Sequence, residues 1–346
     1  MLTAWFNQPF ETGTRDIPQP ELAGPRDVIV RIRYAGICGS DLWTYRGLVE
    51  RPAGQTGHEF LGEVIEAGPG VTTVRPGDAV IAPFLYAEGS CDQCQRGLPT
   101  LCEECGIWGR DGMGAQAEAI RVPYADAVLV PLPWTAGEID DDLARRLIPL
   151  CDVFATGTHG AMMAGVSEGD TVAVIGDGAV GISAAVAARR LGASRVVLLG
   201  EQPGRLAVAE GFGVITLQVS RDVSPEADLR AKLGGGLPDR VVECVGLQSS
   251  FDTALDVVAP AGAVGFVGLP HGVDPIPPMR IFGRQIQVCG GAAPARTYLP
   301  ELLGAVQSGQ LDPSPLIDRV VSLRDVASGY EAMHTGESLK VLLRCT

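Results

Sequence analysis

The chain has 346 residues, 46% of them apolar, with 45 glycines and 25 prolines. This suits a compact fold of two domains with many tight turns, and excludes a fibrous or disordered polymer. The formal charge of −14 would repel a phosphate backbone, so no nucleic-acid partner is expected.

No uninterrupted apolar run is long enough to cross a bilayer, so no membrane partner is expected. The first residues, Met1 to Gly13, carry no basic lead followed by an apolar stretch. No secretory signal is therefore expected, and the protein reads as soluble and cytoplasmic. Nine cysteines in such a chain do not suggest a disulfide framework. Cys38 and the crowd between Cys91 and Cys105 point to metal before oxidation.

The first third reads as β-rich. Residues 28–34 and 62–68 are alternating, β-branched strand candidates, and Pro69-Gly70 and Arg75-Pro76-Gly77-Asp78 break the chain between such runs. That pattern predicts a small, partly open barrel. A helix is expected over 153–164. Residues 171–175 then form a continuous apolar strand of the kind buried on both faces of a parallel sheet. A helix over 182–191 and strands over 195–199, 240–245, 263–267 and 286–289 complete the pattern. Such alternation predicts an α/β, doubly wound parallel sheet. The expected domains are 1–152 with 293–346, and 153–292.

Gly176-Asp177-Gly178-Ala179-Val180-Gly181 is a G-x-G-x-x-G between a strand and a helix. In that context it fits a dinucleotide turn. Its glycines allow a tight bend, close approach of backbone to a pyrophosphate, and close helix–strand packing. At the end of the next strand Gly200 stands where an NAD enzyme usually carries an acid, which makes room for a 2′-phosphate. Glu201 would repel that phosphate, and Arg205 can serve either cofactor. NAD and NADP both stay open.

Cys38, on a Gly-flanked turn, and His58 about twenty residues on offer a thiolate and an imidazole, the donors that zinc selects. Gly36-Ile37-Cys38-Gly39-Ser40-Asp41, Gly57-His58-Glu59-Phe60-Leu61-Gly62, Arg75-Pro76-Gly77-Asp78, the Gly176 turn and the stretch 239–246 follow in order along the chain. Together they resemble the zinc-dependent medium-chain dehydrogenases, the bacterial secondary-alcohol dehydrogenases above all.

The resemblance implies a Rossmann cofactor domain beside a GroES-like catalytic domain, reversible oxidation of an alcohol, and NAD or NADP as cofactor. It implies a catalytic zinc on Cys38, His58 and a third ligand, with Glu59 beside it. Counting back from Thr156-Gly157 puts that third ligand at Asp152, with Cys151 left as a core thiol. Ser40 would contact the substrate oxygen and pass its proton on, and Trp43 stands where many relatives carry a relay histidine. Thr156 would pack on the nicotinamide, Val245 and Val267 would line the dinucleotide, and Lys340 would reach the pyrophosphate.

A second, structural zinc would take Cys91, Cys94 and Cys102, with Glu88 or Cys105 as the fourth ligand and Glu88 favoured by register. Trp43, Phe84 and Trp108 are candidate walls for an apolar or bulky alcohol, though each could equally be core. The family implies a homodimer or homotetramer. The alternatives are a polyol, amino-alcohol or aldehyde dehydrogenase on the same scaffold, or a zinc-free relative acting as a binding module.

Overall fold

The computed structural model describes residues 1–110, 112–220 and 223–345. The chain divides into two compact units, Met1–Ala155 with Pro294–Thr346, and Thr156–Ala293.

The first unit is built on the strand Val28–Ile37, whose buried residues fill an extensive apolar core. One edge pairs antiparallel with Glu59–Ala67 along most of its length. The other edge is shared: Ala119–Val122 pairs with its first half and Val341–Arg344 with its second. Ala79–Ala82, Val130–Pro131 and Arg319–Ser322 extend this sheet without closing it, among the described residues.

The register decides what meets at the sheet's end. Gly36 lies opposite Glu59, and Ile37 lies opposite Val341. Cys38, His58, Glu59 and Lys340 are therefore delivered to one place by three adjacent strands.

Remote loops are pinned by side chains. The Asp126 carboxylate accepts the backbone N–H groups of Thr72 and Thr73 at 3.0 Å and both their hydroxyls at 2.7 Å. Burial raises its pKa, but these bonds outweigh it and hold it at about 2. Such stabilisation is complete above the ordinary carboxylate range and fades as pH falls toward the folded value. Asp126→Asn is expected to lose about 1 kcal/mol near neutrality, screened by solvent. In urea unfolding that deficit should narrow between about pH 4 and pH 2. A pH-independent deficit would contradict this assignment.

The second unit carries six parallel strands among the described residues. Numbered in chain order, they are Thr171–Ile175, Arg195–Gly200, Ile215–Gln218, Arg240–Glu243, Ala263–Phe266 and Gln287–Gly290. They lie in the order 3-2-1-4-5-6, the doubly wound arrangement, with ligands expected where the order reverses. The central strand is buried at four of its five residues, which is why it reads as an unbroken apolar run.

Candidate functional site

Cys38 follows directly on the central strand of the first unit, and His58 directly precedes Glu59–Ala67. Asp152 sits between the helices Asp141–Cys151 and Val153–Met163, at φ −142°, ψ −77°, outside helical geometry. These breaks aim three side chains at one point. His58 Nε2 lies 3.1 Å from Asp152 Oδ2, and the Cys38 Sγ–H donates to that oxygen at 3.2 Å. One ligand atom from each of Cys38, His58, Glu59 and Asp152 falls within 4.8 Å of the others, and all four residues are buried.

The imidazole is oriented from behind. Asp41 Oδ1 faces His58 Nδ1 at 3.3 Å, and Asp41 Oδ2 accepts the Cys38 backbone N–H at 3.0 Å. Gln116 donates to the same carboxylate at 3.4 Å, while Tyr330 and Thr56 hydroxyls donate to Gln116 Oε1 at 2.9 and 2.6 Å. A carboxylate on Nδ1 leaves Nε2 as the nitrogen turned toward Cys38 and Asp152, available to a metal. Sequence reasoning assigned Asp41, Gln116 and Tyr330 no role. The signal for Asp41 was its place three residues after Cys38 in the quoted motif.

Burial and the charge of Asp152 raise the Cys38 thiol pKa. Burial lowers His58, but the charge of Asp41 and the bond to Asp152 lift it well above its ordinary value. This donor set therefore holds protons that a divalent cation would displace. A thiol, an imidazole and a carboxylate, converging and buried, are the ligand types of a catalytic zinc. The residues fit the metal.

Glu59 does not stand free beside that point. Its two oxygens receive the Lys340 ammonium at 2.8 and 2.5 Å, and Lys340 also donates to the Ile37 carbonyl at 3.3 Å. Both side chains are essentially inaccessible, at 0% and 1%. Burial lowers the Lys340 pKa, yet the Glu59 charge raises it further, so the ammonium stays charged. Lys340 was expected on a pyrophosphate. The correction is that register sets it against a buried carboxylate inside the first unit.

Ser40 is exposed, with its hydroxyl 3.5 Å from His58 Nε2. Phe84 stands edge-on to the His58 ring at 6.4 Å, and Trp43 is half-buried on the short helix Asp41–Tyr45. Trp108 is only 1% exposed and donates its indole N–H to the Pro83 carbonyl at 2.8 Å. It packs against Phe60 and Tyr86, which places it in the core and removes it from the candidate walls.

A second cluster gathers Glu88, Cys91, Cys94 and Cys102 with the same close spacing, while Cys105 is exposed outside the group. Glu88 accepts the Ser90 hydroxyl at 2.6 Å and the Ser90 N–H at 2.8 Å, and also the Cys91 N–H, which lowers its pKa. Burial pushes the Cys94 thiol up to about 12. Burial also acts on Cys102, but backbone N–H groups of Glu88 and Glu104 outweigh it and lower its pKa.

In the second unit the glycine turn caps the helix Ala179–Arg190. Gly176 has φ +115°, and a Cβ on Gly181 would lie 1.8 Å from the Gly176 carbonyl oxygen. A Cβ on Gly178 would meet nothing within 4 Å, so that face of the turn is open. Ala179 and Val180 begin the helix, half-buried. Val245 and Val267 follow the fourth and fifth strands, also half-buried, and Thr156 is half-buried on its helix. Gly200 ends the second strand, with Glu201 exposed beside it and Arg205 on the following helix. An open, glycine-lined helix N-terminus fits a dinucleotide pyrophosphate.

Residues 24–133 match the family model of the alcohol dehydrogenase GroES-like domain, and 179–308 match that of the zinc-binding dehydrogenases. A zinc-type alcohol dehydrogenase B of Aspergillus flavus is 30% identical over 352 residues, covering 98% of this chain and 80% of its own. A glutathione-independent formaldehyde dehydrogenase of Bacillus subtilis is 32% identical over 357 residues, covering 91% and 86%. The alcohol dehydrogenase TADH of Thermus sp. ATN1 superposes with a TM-score of 0.91 at 33% identity, covering 99% of each chain. The chain belongs to the zinc-dependent medium-chain dehydrogenases. Its activity is that of the family, NAD(P)-linked oxidation of an alcohol.

Proposed function

We propose that Cys38, His58 and Asp152 hold the catalytic zinc and that the substrate is an apolar or bulky alcohol, secondary alcohols included. The convergence of those three buried donors, with His58 oriented by Asp41, is the observation that carries this reading. Zinc held by these residues would supply Lewis acidity toward an alcohol oxygen, and a nicotinamide dinucleotide would supply the hydride acceptor.

The chain's own residues do the rest. Asp41 fixes the imidazole tautomer. The Ser40 hydroxyl accepts the alcohol proton and, being exposed, passes it to water, which removes the need for an imidazole in the place of Trp43. Phe84 and Trp43 give the substrate an aromatic surface. Thr156, Val245, Val267 and the Gly176–Gly181 turn are proposed to hold the dinucleotide in the second unit. Glu59, held by Lys340, is proposed to set the charge beside the zinc ligands.

Glu88, Cys91, Cys94 and Cys102 are proposed as a structural zinc site, whose three thiols must stay reduced. That need supports a cytoplasmic setting, and no helix among the described residues is long and apolar enough to cross a membrane. A homodimer or homotetramer is proposed. Met279 and Phe282, 70% and 77% exposed, supply apolar surface for such an assembly.

The test is a panel of primary, secondary, aromatic and polyhydric alcohols with the zinc-loaded enzyme. Apolar secondary or aromatic alcohols should show the highest kcat/KM. A clear preference for polyols or amino alcohols would move the reading to that branch of the scaffold.

A further inference from the structure

The second strand of the dinucleotide unit ends in Gly200, with no acid of its own at that position. A Cβ added to Gly200 would lie 2.4 Å from Asp177 Cβ, 2.7 Å from Asp177 Oδ2 and 2.8 Å from Leu206 Cδ2. The space an acid would enter from Gly200 is filled by a carboxylate arriving from the glycine turn. Asp177 is the second residue of that turn. Its Oδ2 accepts the backbone N–H groups of Glu201 and Gln202, each at 2.8 Å. Its Oδ1 lies 3.7 Å from Arg205 Nη1, and 12% of the side chain remains exposed.

We infer that Asp177 supplies the ribose-binding carboxylate that Gly200 lacks, and that the enzyme selects NAD over NADP. The inference rests on the reading of Gly176–Gly181 as the dinucleotide turn. A pyrophosphate on that turn brings the adenosine ribose to the end of the second strand, where Asp177 and Glu201 both stand. An ionised carboxylate offers about four acceptor sites. Two are taken by backbone N–H groups on Oδ2, which leaves capacity on Oδ1 for a ribose hydroxyl. A 2′-phosphate would instead meet the charges of Asp177 and Glu201. Arg205, the cation that could receive it, is already paired with Asp177.

Direct titration of the zinc-loaded enzyme with NADH and with NADPH, followed by quenching of protein fluorescence, tests this without turnover. The wild type should bind NADH at least about 100-fold more tightly. Asp177→Asn keeps the side chain's size, and should weaken NADH and strengthen NADPH by about tenfold each. Asp177→Gly with Gly200→Asp removes the Cβ that a side chain at Gly200 would meet and moves the acid to the strand end, and should recover the NADH preference. Asp177→Gly alone should lose that preference, so the single and double variants together test position and charge even where Asp177→Asn folds poorly.

Equal affinity of the wild type for both dinucleotides, or an NADH preference unchanged in Asp177→Asn and Asp177→Gly, would overturn the assignment. Binding of neither dinucleotide would overturn the reading of the turn itself, and with it the inference.

Discussion

Asp152→Ala is expected to abolish zinc binding at the catalytic centre and alcohol oxidation with it, whereas Cys151→Ala should retain both. The two residues are neighbours, and both side chains are sulfur or oxygen donors. Their surroundings separate them. The Asp152 carboxylate faces Cys38 Sγ and His58 Nε2 at 3.2 and 3.1 Å. The Cys151 thiol is wholly inaccessible and donates to the Phe60 carbonyl at 3.5 Å. Burial, first of all, and the charge of Glu59 push its pKa well above the ordinary range, and it is not among the four residues whose ligand atoms gather within 4.8 Å.

Loss of an outer hydrogen-bonding partner costs zinc sites about 10–100-fold in affinity. Asp41→Asn belongs in that range. Loss of Asp152 itself should exceed it, and equilibrium dialysis of zinc against each variant measures both. Cys151→Ala should cost only about 1 kcal/mol, the loss of a small buried group. Undiminished zinc affinity in Asp152→Ala would remove it from the ligand set.

The second large effect concerns stability. Lys340→Met should destabilise the fold by about 3–5 kcal/mol, because it leaves Glu59 buried without its cation. Burial pushes the Glu59 carboxyl up and Lys340 pulls it down. Without the lysine, Glu59 is expected to take up a proton. The double change Glu59→Gln with Lys340→Met should recover more than half of the loss, since removing both charges also removes their desolvation cost. Urea midpoints of the two variants test this. Equal instability of single and double variants would show that the cost lies in packing, not in the unpaired charge.

The buried pair also illustrates what the sequence conceals. Glu59 and Lys340 are 281 residues apart, and nothing local to either predicts the other. Their meeting follows from two strand registers, Gly36 against Glu59 and Ile37 against Val341. Gly36 is part of the same solution, since a Cβ there would lie 1.9 Å from Glu59 Oε2.

The doubly wound sheet, by contrast, was legible. Its central strand is an uninterrupted apolar run, and its turn has the glycine spacing that helix–strand packing demands. Trp108 was ambiguous because an aromatic near a cysteine-rich loop suits a pocket wall or a core equally. The Pro83 carbonyl that binds its indole lies 25 residues earlier in the chain. Asp177 was overlooked for a different reason. It occupies a variable position of a glycine motif, and its significance emerges only when its carboxylate is seen in the space beside Gly200.

The most direct measurement removes metal stepwise with a chelator and follows zinc content and NAD(P)-linked alcohol oxidation together. The two proposed sites differ in chemistry, which makes the order informative. Activity should track about one equivalent of zinc per chain, the one bound through Cys38, His58 and Asp152, and return when that equivalent is restored. Full alcohol oxidation by a chain stripped of that zinc would contradict the central claim.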